Sequence, residues 1–179
     1  MKIVLTVLAL VVGSLTVILQ PSAASAQALV AGPPTTVVYI VRHAEKQSAA
    51  ADTPLSEAGR ARAKKLAHVL KDAGIEMILV TEFQRTQQTA KPLAKANGLT
   101  PIKYPAATPS TAVSLISTKG VGKRILVVAH SNTVDDIASG IGATGVAEVL
   151  EPQFDRLFVV LSVAGTVQLQ RLRYGTATQ

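Results

Sequence analysis

Three apolar runs, widely separated along the chain, each lead into a cationic side chain. Thr36-Val37-Val38-Tyr39-Ile40-Val41 runs into Arg42 and His43. Met77 to Thr81 leads through Glu82-Phe83-Gln84 to Arg85, and Arg124 to Ala129 ends at His130. Runs this short, rich in β-branched residues and apolar on both faces, read as buried strands. Each is followed by a helical pattern. Ser56 opens a helix to about Ala73, with Leu66, Val69, Leu70 and Ala73 at core spacing, Arg60, Arg62, Lys64, Lys65 and Lys71 on a solvated face, and Gly74 after it. A second helix runs from Arg85 to Ala96 and stops at Asn97-Gly98, and a third runs from about Asn132 to Ser139. Ile102 to Tyr104 reads as a short strand and Ser110 to Thr118 as a short helix. Arg156 to Ser162 and Val167 to Arg173 read as a closing hairpin about Ala164-Gly165. Strands alternating with helices predict an α/β fold with a mostly parallel central sheet and helices on both faces.

In open α/β sheets the ligand crevice lies outside the carboxyl ends of the strands. Arg42, His43, Arg85 and His130 are therefore expected to converge there, although 88 positions separate the first from the last. Two arginines and two histidines suit phosphate. Each guanidinium presents a planar fork of donors to phosphoryl oxygens, and a neutral imidazole is a nucleophile toward phosphorus. Ser131 and Asn132, next to His130, add phosphate-binding candidates through their hydroxyl, amide and backbone donors, or else serve as cap residues for the helix that follows.

Four segments carry a family resemblance: Val41-Arg42-His43-Ala44-Glu45-Lys46, Leu55-Ser56-Glu57-Ala58-Gly59-Arg60, Arg85-Thr86-Gln87-Gln88-Thr89-Ala90, and Val128-Ala129-His130-Ser131-Asn132-Thr133. In order and spacing they resemble the histidine phosphatase superfamily, the phosphoglycerate mutase-like proteins. The resemblance implies a three-layer sandwich in which His43 becomes a phosphohistidine while Arg42, Arg85 and His130 hold the phosphoryl group. It implies no metal and no cofactor. Clustered Cys, His or Asp ligands to accompany His43 and His130 are also missing from the sequence.

One departure stands out. Many members supply a carboxylic acid for the leaving oxygen, either from the loop after the second arginine motif or directly after the second histidine. Here Lys91 to Ala129 contains no Asp or Glu, and Ser131 follows His130. Glu45, two residues past the nucleophile, is the first candidate acid, with Glu82 and Asp135 next. Glu45 reads equally as a residue that orients Arg42 or caps the loop, because residues i and i+2 of an extended segment face the same way. A phosphatase is expected. A phosphate-binding module of the same fold without turnover is the alternative that the missing acid leaves open.

Composition narrows the partners. The chain has a net charge of +7, which favours anionic partners, yet aromatic residues are only 3%, with no interleaving of Arg and aromatic side chains such as single-stranded nucleic acid requires. A small phosphorylated substrate or a phosphorylated envelope component is expected, and no nucleic acid. Lys2, the apolar run Ile3 to Leu19 and the small residues Ser22 to Ala28 read as a secretory signal peptide over residues 1–28, cleaved after Ala26 or Ala28. That leaves one domain, 29–179, exported to the periplasm or secreted, with no membrane span once the leader is removed.

Overall fold

The computed structural model describes residues 32–178. The expected leader, 1–28, lies outside the described residues. Within them the order is β1 (Thr35–Arg42), α1 (Glu57–Val69), β2 (Met77–Thr81), α2 (Gln84–Asn97), β3 (Ile102–Tyr104), α3 (Pro109–Lys119), β4 (Arg124–Ala129), α4 (Val134–Gly140), β5 (Arg156–Val163) and β6 (Thr166–Arg173). The strands form one sheet in the order β3-β2-β4-β1-β5-β6. β1 to β4 pair in parallel, and β5 and β6 add an antiparallel edge.

Alternation along each central strand builds two cores. Val38, Ile40, Leu79 and Val127 point to one face, where Ala112 and Ile116 of α3 and Val134, Ile137 and Ala138 of α4 cover them. Val37, Val41, Ile78, Val80, Leu126 and Val128 point to the other, beneath Leu66 of α1 and Ala90, Leu93 and Ala94 of α2. Neighbouring residues thus serve opposite layers, which is why these runs are apolar throughout. Each large aliphatic side chain so buried contributes about 1.5–3 kcal/mol.

Register decides which side chains meet at the carboxyl end of the sheet. Arg42 sits opposite Ala129 on the last rung of the β1–β4 ladder, so His43 and His130 leave the sheet side by side. The His43 amide donates to the Ala129 carbonyl at 2.9 Å, holding the two chains together one residue beyond the ladder.

α1 is shorter than the sequence spacing suggested. Ser56 caps it by accepting from the Gly59 amide at 3.1 Å, but the helix ends at Val69 and the chain turns through to Gly74, whose φ is +65°. Leu66 and Leu70 reach the core, whereas Val69 is 51% exposed, contrary to the expected pattern. Gly59 has a steric reason. A Cβ there would collide with the backbone carbonyl oxygen of Glu45, which crosses the first turn of α1 and accepts from the Ser56 amide at 2.9 Å.

Candidate active site

His43 is 4% exposed. Its Nδ1 lies 2.8 Å from the Ala44 carbonyl oxygen, which can only accept, so Nδ1 carries the proton and Nε2 keeps its lone pair. Burial holds the ring pKa down, near 3, despite the opposing pull of the Ala44 carbonyl. The charges of Arg42, His130 and Arg85 act in the same direction as burial. His43 is therefore a neutral imidazole of fixed tautomer. Its loop is pinned from α2: the Ala44 amide donates to Thr89 Oγ1 at 2.9 Å, and that hydroxyl donates to the Arg85 carbonyl at 2.7 Å.

The His130 ring lies edge-on to His43 with centroids 5.3 Å apart. Arg85 Nη2 donates to His130 Nδ1 at 3.4 Å, so the ring proton is on Nε2, which faces Thr81 Oγ1 at 3.1 Å. Burial, reinforced by Arg85, brings His130 down to about 4. Arg85 also donates to the Ala51 carbonyl at 2.7 Å, and its guanidinium stacks 4.2 Å from the centre of the Phe83 ring. Arg42 is almost completely buried. Its guanidinium lies 4.1 Å from the centre of the Phe154 ring and pairs with the Glu151 carboxylate. The Nε–H groups of Arg42 and Arg85 have no acceptor among the described residues, leaving donors unused in each fork.

A cavity of about 360 Å³ opens at this end of the sheet, lined by His43, Glu82, Phe83, Arg85, Ala106, Ala107, His130, Ser131 and Asn132. Three of the four expected core residues line it, and Arg42 lies buried next to His43 in sequence without reaching its wall. Ser131 and Asn132 are on the wall as expected.

Glu45 is not. Its Oε1 accepts from Arg62 Nε at 2.9 Å and Nη2 at 2.8 Å, and Arg62 also donates to the carbonyls of Tyr174 and Thr176. Two expectations change together. Glu45 faces α1 and the C-terminal segment instead of His43, because β1 ends at Arg42 and the i, i+2 rule of an extended strand lapses beyond it. Arg62 is buried at 5% instead of solvated, because the chain after β6 packs over it. Asp135, in the first turn of α4, does not line the cavity either.

Sequence reasoning missed Glu151 and Phe154, which sit on the irregular segment between α4 and β5, where no periodicity points at the site. The buried threonines Thr81, Thr86 and Thr89 were missed too. Their recurrence as T-x₄-T-x₂-T around Arg85 is the signal that could have found them.

A family model described as the histidine phosphatase superfamily (branch 1) matches residues 38–107, which take in Arg42, His43 and Arg85. Over that span the chain is similar to the histidine phosphatase superfamily. His130 lies beyond the matched span, and the geometry alone brings it to His43. The chain is also similar to the Yersinia pestis (strain Pestoides F) protein named "Probable phosphoglycerate mutase GpmB", with 41% identity over 75 residues. That match takes in 38% of this chain and 35% of the relative, so the chain spans about a third of the length of the curated relatives it matches. Among solved structures, the protein histidine phosphatase SixA complexed with tungstate aligns with a TM-score of 0.61 at 21% identity, covering 76% of this chain and 96% of that one. A mycobacterial glucosyl-3-phosphoglycerate phosphatase aligns with a TM-score of 0.58 at 14% identity, covering 80% of this chain and all of that one. At these identities the structural likeness speaks for the fold, the histidine phosphatase arrangement of a mixed six-stranded sheet between helices.

Proposed function

We propose that this chain is a metal-independent phosphomonoesterase working through a phosphohistidine on His43. One observation carries the reading: His43 is neutral, with Nδ1 tied to the Ala44 carbonyl and Nε2 left free, beside His130 and two arginines with unused donors. A phosphoryl group held by those guanidinium groups would meet Nε2. The cations would also stabilise charge on its equatorial oxygens as it passes from the ester oxygen to nitrogen. His130, neutral and hydrogen-bonded to Arg85, holds that fork in place.

Hydrolysis is preferred to mutase chemistry because the connections around the cavity are short. The β2–α2, β3–α3 and β4–α4 connections that line it run only over residues 82–83, 105–108 and 130–133, which leaves little protein there to seal an intermediate from water between two half-reactions. A binding module without turnover is favoured by one feature, the withdrawal of Glu45 to Arg62. Trapping the phosphoenzyme separates the two. The natural substrate class is a phosphorylated small molecule or envelope component, in keeping with the net charge of +7 and with export directed by residues 1–28.

The test is phosphate release from a panel of aryl, sugar and phosphoramidate compounds, with His43→Ala as the blank and EDTA in a parallel arm. Release that survives in the His43 variant contradicts the mechanism. Activity lost in EDTA and restored by a divalent ion contradicts its metal independence.

A further inference from the structure

Phosphoryl transfer to His43 leaves an ester oxygen that needs a proton, and the usual sources in the sequence are missing. Glu45 is bound to Arg62, Glu151 to Arg42, and Asp52 accepts from the backbone and side chain of Gln84 at 2.8 and 3.2 Å. The hydrogen bonds from Arg42 and Gln84 hold Glu151 and Asp52 below the usual carboxylate range, and none of the three lines the cavity. Asp135 is off the cavity wall.

Glu82 remains, and it is the only carboxylate among the residues lining the cavity of His43, Arg85 and His130. It stands in the connection between β2 and α2, three residues before Arg85. Its Oε2 accepts from the Ala106 amide at 2.8 Å, which braces it against the connection between β3 and α3. Oε1 makes no hydrogen bond to the described residues. The side chain is thus fixed at one oxygen and free at the other, on the exposed side of the cavity wall.

We propose that Glu82 is the general acid and base of the reaction, supplied from the turn before Arg85; this rests on the phosphatase reading above. In the first half-reaction His43 Nε2 bonds to phosphorus as the P–O ester bond breaks. The bond's electron pair goes to the leaving oxygen, which takes the proton of the Glu82 carboxyl group. In the second, a water oxygen bonds to phosphorus while its proton passes to the Glu82 carboxylate. The P–N bond breaks, and its electron pair returns to the imidazole. The enzyme ends as it began, with alcohol and phosphate released. The phosphoryl dianion arriving beside the carboxylate favours the shared proton that the first step consumes.

A purely structural role, bracing Ala106, gives a different outcome in Glu82→Gln, because the amide oxygen of glutamine still accepts from Ala106 but carries no transferable proton. The experiment measures kcat/KM against leaving-group pKa for the full chain and for Glu82→Gln, with Glu45→Gln as a control. A shallow dependence in the wild type and the control should steepen in Glu82→Gln. Alkyl phosphates should lose about 10²–10⁴-fold, and nitrophenyl phosphate should lose under about tenfold, its leaving group being stable without a proton. An active wild type whose slope is unchanged in Glu82→Gln overturns the assignment and leaves the phosphatase reading standing. A wild type that turns over none of the series overturns both.

Discussion

Arg42 and Glu151 form an ion pair in which the cation is nearly completely buried while 64% of the carboxylate side chain is exposed. Arg42 comes from the end of a central strand, whereas Glu151 comes from the irregular segment before β5. The fork expected to receive the phosphoryl group is therefore already holding an anion. Incoming phosphate must displace or share it, so Glu151→Gln should tighten inhibition by inorganic phosphate or vanadate. A pair with one exposed partner is worth up to about 1 kcal/mol, or about fivefold in Ki. Weaker inhibition in the variant would mean that Glu151 orients Arg42 instead of competing for it.

Glu45 and Arg62 join the loop after His43 to α1 and to the C-terminal carbonyls. Removing one partner strands a buried guanidinium. Arg62 is buried but Glu45 is 21% exposed, which reduces the cost below that of a fully buried pair. Glu45→Gln should lower stability by about 1–3 kcal/mol in urea melts and leave kcat within about threefold. A loss of kcat by two orders of magnitude with normal stability would return Glu45 to the chemistry.

The two site histidines make the fold acid-sensitive. Their folded pKa values, about 3 for His43 and about 4 for His130, lie below the ordinary 6.5. Between those limits the unfolded chain binds protons that the folded chain refuses. Stability is then full above about pH 6.5 and falls as the pH drops toward 4, by at most about 1.4 kcal/mol per pH unit for each histidine. Urea midpoints at a series of pH values should show this slope, and His130→Gln should reduce it. An unchanged slope in the variant would show that His130 does not stay neutral in the folded protein.

On the proposed mechanism the arginines are unequal to their lysine counterparts. Arg85 binds Ala51 and His130 through its two Nη atoms while stacking on Phe83. Lysine offers a point charge without that geometry. Arg85→Lys should cost at least about tenfold in kcat/KM and Arg85→Ala at least about a hundredfold, both read from phosphate release. Equal activity in all three would remove Arg85 from the site.

Much of this was legible in the sequence where periodicity is strong. The buried strands, the convergence of His43, Arg85 and His130, and the helices on both faces all follow from short apolar runs that end in cations. What escaped lies where the chain has no period. Glu151 and Phe154 sit on a segment whose residues follow neither strand nor helix spacing, and only the folded path carries them to Arg42. Glu45 and Arg62 were misplaced for a related reason. The strand ends at Arg42, so counting by twos past it carries no directional meaning, and burial of Arg62 depends on residues 174 to 176 returning over α1.

The central claim is that Nε2 of His43 accepts the phosphoryl group, and rapid quenching into alkali followed by peptide mass analysis tests it most directly. During turnover of an aryl phosphate, the peptide containing His43 should carry the mass of one phosphoryl group, stable in alkali and lost in acid. The adduct should be absent in His43→Ala. Sustained phosphate release with no such adduct on His43, or with the adduct on His130, would contradict the account.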